Sequence, residues 1–212
     1  MNYFLFIQIC FVASLTNYLN KRAPLYLLLF PVFLLVVLIC EYAGRQLARG
    51  HHNNVLLYNL VSIGEFLFYF FFYYSVYRVS SAKKTMLFLM PVYLVAALIN
   101  IFFIQGKDSF HTYGYMAGCL FVIAGSIYYF LELFRYPQSG SIVRDPAFWI
   151  ASALLFYYTC VLPVFGILNY ISSKSVRVNN ILIFINEVSN IILYSLFTLA
   201  FLCKLSFRKY TS

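Results

Sequence analysis

Seven apolar runs of membrane-spanning length occupy most of this chain, at about 2–19, 24–42, 55–77, 85–104, 113–134, 147–171 and 181–203. Each is continuous and bounded by Lys, Arg, Asn, Asp or Gly, which reads as a transmembrane helix; a barrel strand would be shorter and alternate in polarity. A chain entering a bilayer must satisfy its backbone hydrogen bonds internally, so continuous runs of this length leave the helix as the available structure. The expectation is an all-α, polytopic, seven-transmembrane bundle forming a single domain over residues 1–212. Of the residues, 63% are hydrophobic and only 10% charged, far from the composition of soluble domains.

The net charge of +9 does not form a nucleic-acid-binding patch, because the 15 Lys and Arg are scattered through the short connections. Their distribution instead bears on orientation. Counting by loop puts ten on one side, including Arg78, Lys83, Lys84, Arg135 and Arg144, and five on the other, including Arg45, Arg49 and Lys107. The positive-inside bias then predicts the N-terminus outside and the C-terminus in the cytoplasm. The first run lacks a basic n-region and a small-x-small cleavage site, so it is expected to span the membrane instead of acting as a signal peptide. Cys10, Cys40, Cys119, Cys160 and Cys203 show no metal or redox spacing and read as small packing residues.

Local chemistry sharpens the boundaries. In "RDPAFW", Asp145 is an N-cap and Pro146 opens the sixth helix, where a missing N–H costs nothing. Pro31, Pro91 and Pro163 fall inside the second, fourth and sixth runs and are expected to kink them. Trp149 and the Tyr residues near helix ends read as interfacial anchors.

A faint self-similarity links the second and third runs to the sixth and seventh. "RAPLYLL" at Arg22 matches "RDPAFWI" at Arg144 in outline, and "NNVLLYN" at Asn53 matches "NNILIFIN" at Asn179. The offset of four helices makes such repeats parallel, in a 3+1+3 arrangement.

The polar residues carry the functional reading. Ser62, Glu65, Tyr69 and Tyr73 step along one helix face with Asn59 nearby, and Glu187, Asn190, Tyr194 and Thr198 do the same on the last run. A charge near the hydrocarbon midplane costs roughly 2.5–3.5 kcal/mol even on lenient scales, so an intramembrane acid faces a partner, a cavity or a site. No Lys or Arg lies within any span, so Glu65 and Glu187 are expected to be protonated or hydrogen-bonded across helices. Two readings stand: interhelical bonding alone, or a central cavity opening outward in which Glu65, Tyr69, Asn186, Glu187, Asn190 and Tyr194 bind a small polar or cationic ligand or carry a proton.

His51, His52 and His111 fall on the predicted outer side with Glu41 and Asp108, which raises zinc-dependent hydrolysis as a further alternative. Adjacent His51 and His52 do not share a helix face, and surface-loop histidines are the plainer reading. No cofactor is expected, and no G-x-S-x-G, S-x-x-K or Walker sequence occurs.

The segments "DPAFWIASALLFYY" and "NEVSNIILYSLFTLAFLC" resemble those of uncharacterised seven-helix bacterial membrane proteins, themselves similar to the sensory input modules paired with histidine kinases. That resemblance implies a sensory module in the bilayer that binds a small molecule and acts through a signalling protein in trans; it allows a homo-oligomer. The 3+1+3 pattern is similar to SWEET and PQ-loop transporters, although the only Pro-Gln pair, Pro137–Gln138, lies in a connection. Microbial rhodopsins are a poorer likeness, because the last run has no mid-membrane lysine and Lys204 stands at its end. A small-solute or proton-coupled transporter is therefore the principal alternative.

Overall fold

The computed structural model describes residues 3–19, 23–136, 141–171 and 176–206, with side chains omitted for 167–179 and 204–206. Lys21, Arg22, Pro137, Gln138, Lys174, Arg208 and Lys209 lie outside these residues, as do the side chains of Arg177, Asn179 and Lys204.

The described residues are almost wholly helical, as the continuous apolar runs demand. Helix α1 (Tyr3–Ser14) tightens into a 3-10 turn over Leu15–Leu19. It is followed by α2 (Leu25–Arg49), α3 (Val55–Val76), α4 (Ser80–Ile99, prolonged by a π segment over Asn100–Ile104), α5 (Thr112–Arg135), α6 (Pro146–Ile171) and α7 (Val176–Ser206). Six of these are long and apolar enough to cross a membrane; the first, Tyr3–Leu19, is apolar but shorter. The chain is a multi-pass membrane protein with six such candidate spans. Helix ends run past the apolar runs where helix-favouring polar residues continue the pattern, so α2 reaches Arg49 and α4 begins at Ser80. Asp145 does cap α6, its Oδ1 accepting the Ala147 N–H at 3.0 Å. Pro31, Pro91 and Pro163 all lie inside helices.

Six helices close a ring. Helix α1 packs on α2 and α7, α7 on α6, α6 on α5, α5 on α3 and α3 on α2, while α4 lies outside against α3 and α5. The even offset between α3 and α5 means they run in the same direction, and their contacts advance together from Ser62–His111 to Arg78–Glu132.

That α3–α5 seam is built from a seven-residue repeat on the α5 side: His111, Gly118, Gly125 and Glu132. At Gly118 the Phe66 ring comes so close that a Cβ would lie 2.6 Å from it, and at Gly125 a Cβ would lie 2.9 Å from Tyr73. Small residues let helices approach where lipid supplies no hydrophobic drive for association. Polar bonds punctuate the packing. Tyr77 donates its hydroxyl to the Gly125 carbonyl at 2.8 Å, and the Tyr73 and Ser126 hydroxyls bond each other in the core. At the end of the seam the Glu132 carboxylate accepts the backbone N–H groups of Arg78 at 2.8 Å and Val79 at 3.1 Å. Those donors immediately precede α4, Val79 being its N-cap, so one carboxylate fastens the α3–α4 turn to α5 and complements the positive end of α4.

Replacing Glu132 by Ala leaves those two N–H groups without their acceptor and is expected to cost about 1–3 kcal/mol. Glu132→Gln keeps an acceptor oxygen and should cost less. Gly118→Val drives a side chain into Phe66, with an expected loss of about 1–3 kcal/mol. Thermal unfolding in lipid nanodiscs measures all three, and an unchanged Tm for both Glu132→Ala and Gly118→Val would contradict the role of the seam.

Candidate functional site: a polar cavity at the centre of the ring

A cavity of about 330 Å³ lies where the six ring helices meet, at the end of the bundle carrying the N-terminus of α1. Its wall takes Tyr3 from α1, Glu41 from α2, Tyr58, Ser62 and Glu65 from α3, Tyr115 from α5, Tyr157 from α6, and Asn186, Asn190 and Tyr194 from α7. Glu65 is the eleventh residue of α3, so it sits about 15 Å along that helix from Val55 at the cavity's end. Beneath it, aromatic rings fill the bundle: the buried Phe30 meets the partly buried Phe68 and the buried Phe197 and Phe201 at centroid distances of 4.9, 5.3 and 5.2 Å.

Of the residues picked out in the sequence, Glu65, Asn186, Asn190 and Tyr194 are brought together in this wall. Tyr69 lies deeper, 2% exposed, with its ring against Phe33 and Tyr158. Glu187 is half-buried, makes a contact of its own, and is not part of the wall. Its neighbour Asn186 takes the position facing the cavity, and Asn190, one turn on, donates to the Asn186 carbonyl at 2.9 Å. The offset is a consequence of helical phase: only residues three or four apart share a face.

The two wall carboxylates differ. Glu41 accepts the Tyr3 hydroxyl at 2.8 Å and pairs with Arg45 at 3.7 Å, and Arg45 in turn lies over the Phe4 ring at 4.6 Å. Glu65 has no hydrogen bond or ion pair among the described residues. The free carboxyl of the cavity is therefore the deep one, and it is surrounded by phenol rings.

The histidines separate. His51 and His52 are exposed on the α2–α3 turn. His111 is not a surface histidine as the sequence suggested; it is fully buried at the start of α5. Its backbone N–H donates to the Asn59 side chain at 3.0 Å, Asn59 donates to the Ser109 carbonyl at 3.0 Å, and its Nε2 lies 2.6 Å from the Ser62 hydroxyl. The Ser62 hydroxyl also reaches the Asn59 carbonyl at 3.0 Å, and Nδ1 of the imidazole is buried with no hydrogen-bond partner among the described residues. With Ser62 and His111 both buried, the pair reads as a clamp between α3 and α5. Among the described residues no group of three His, Cys, Asp or Glu is placed to hold a metal ion.

Sequence reasoning missed Tyr115 and Tyr157, ordinary aromatic residues of apolar runs, and missed the burial of His111. For His111 a signal existed: it stands one heptad before Gly118 on the small-residue face of α5.

Comparison of the chain with protein-family models, curated proteins and solved structures gives no match.

Burial, just outside the α5 span, lowers the His111 pKa from the usual 6.5 to about 4. The native state thus holds it neutral while the unfolded chain binds a proton below pH 6.5, so its contribution to stability is intact above that pH and is lost as the pH falls toward 4. The expected slope sums to roughly 2–3 kcal/mol. Thermal unfolding from pH 7 to 4 in wild type and His111→Gln checks this: the wild-type dependence should be steeper over that window, and parallel curves would refute it.

Proposed function

We propose that this protein is a membrane sensory or signalling module that binds a small cationic ligand in the central cavity and acts through a partner protein. The observation that carries the reading is the unpartnered Glu65 carboxyl deep in a cavity walled by Tyr58, Tyr115, Tyr157 and Tyr194. An acid among aromatic faces is the chemistry that recognises ammonium and quaternary ammonium groups. The block of packed rings around Phe30 supports binding over conduction, because it closes the route from the cavity toward the far end of the bundle. The loop-charge bias supports an outward-facing cavity with the N-terminus outside and the C-terminus in the cytoplasm. The resemblance of the α6 and α7 segments to kinase-linked sensory modules supports a partner in trans.

A transporter is the second reading. A smaller polar cavity of about 180 Å³, with Arg78, Tyr129, Glu132 and Asp145 in its wall, lies at the opposite end. Pairing of α2–α3 with α6–α7 as parallel halves, each giving a polar residue to the centre in Glu65 and Asn190, fits a 3+1+3 transporter in which the ring block opens alternately.

The test is thermal unfolding in nanodiscs with tetramethylammonium, choline or putrescine. A ligand at one hundred times its Kd stabilises by about 2.7 kcal/mol, which for a chain of this size raises Tm by roughly 5–10 °C. At least one cation is expected to do so in wild type and none in Glu65→Gln. Equal responses in the two proteins, or none in either, would overturn the binding reading; uptake of the active cation into proteoliposomes would favour transport over sensing.

A further inference from the structure

A second hollow adjoins the first. Between α2 and α3 a groove of about 470 Å³ runs along the outer face of the bundle, with Leu29, Val32, Val36 and Leu60 in its wall. Each of these four is between 37% and 52% exposed, so the groove opens toward the lipid and not into the core. The groove and the central cavity share four residues, Val37, Cys40, Val61 and Glu65. Glu65 is thus the point at which a lipid-facing apolar channel meets a polar, aromatic-walled one. Gly64 beside it is exposed in the groove wall, where a Cβ would meet nothing within 4 Å.

We infer that the ligand is a long-chain cationic amphiphile that enters sideways from the bilayer between α2 and α3, with its hydrocarbon tail in the groove and its ammonium head beside Glu65 in the central cavity. This rests on the cation-binding reading above and adds the tail and the route. The groove accounts for the tail because its wall is apolar and lipid-facing; the polar cavity accounts for the head because its wall offers carboxyl, amide and phenol groups. The unpaired carboxyl at the junction accounts for the charge. A neutral lipid chain would fill the groove but leave Glu65 without a partner.

The experiment uses the full chain in nanodiscs with a sixteen-carbon trimethylammonium carrying a photoreactive diazirine in mid-chain, and the corresponding neutral alcohol as its control. Cross-linked residues are mapped by mass spectrometry, and the Tm shift with tetramethylammonium is read in parallel. The cationic probe is expected to label α2 and α3 around Val32, Val36 and Leu60 at least tenfold more than the alcohol. Gly64→Leu, which adds a bulky side chain to the groove wall beside Glu65 without a clash at its Cβ, should lower that labelling about tenfold and leave the tetramethylammonium shift in place. Glu65→Gln should abolish both. Equal labelling by the alcohol would mean the groove holds any bilayer chain and overturns the inference, as would undiminished labelling of Gly64→Leu. If tetramethylammonium still stabilises the protein in either case, the central site stands and only the lateral route falls. Absence of both shift and labelling removes both.

Discussion

The close parallel contact of α3 with α5 is the constraint on which the other features depend. In a bilayer the lipid is as apolar as any leucine, so helices associate through close packing and polar bonds. This seam uses both. Gly118 and Gly125 admit Phe66 and Tyr73 against the α5 backbone, and the His111–Ser62 and Glu132–Arg78 bonds fix the two ends. With α3 held in this register, Ser62 faces α5 and Glu65, three residues on, is turned toward the space bounded by α2 and α7.

From that placement the division of the bundle into two halves follows. Toward the end carrying the N-terminus, the ring is lined by hydroxyl, amide and carboxyl groups and leaves a cavity. Toward the middle, Phe30, Phe66 and Phe197 are fully buried and fill the ring. A carboxyl without an ion pair is expensive within a membrane protein, and the close packing of the seam sets α3 so that Glu65 lies between the polar hollow and the lipid-facing groove.

The helical architecture was legible because it follows from a rule with few exceptions: apolar runs of this length must satisfy their own hydrogen bonds. The polar stripe on α3 was also legible, since Asn59, Ser62, Tyr69 and Tyr73 are buried as their spacing required. Helical phase was harder to read on α7, where the wall takes Asn186 and Asn190 while Glu187 points elsewhere; the sequence alone does not say which of two adjacent polar residues a ring will face. Tyr115 and Tyr157 were illegible for a different reason. In a chain with 20 tyrosines, the few that line a cavity are chosen by tertiary packing, and nothing local marks them. The first run, expected at about 2–19, is helical over Tyr3–Leu19, and only the tightening of its last turn over Leu15–Leu19 goes unreported by apolarity.

The central claim is that the cavity holding Glu65 is reached by water from one end of the bundle. Its most direct test is thiol accessibility: Asn186→Cys, in a background with the native cysteines replaced by alanine, treated with a membrane-impermeant methanethiosulfonate reagent from either side of sealed vesicles. The account predicts labelling from the side that carries the N-terminus, with Phe30→Cys in the packed ring block remaining unlabelled from both. Labelling of Asn186→Cys only from the opposite side, or from neither, would contradict it.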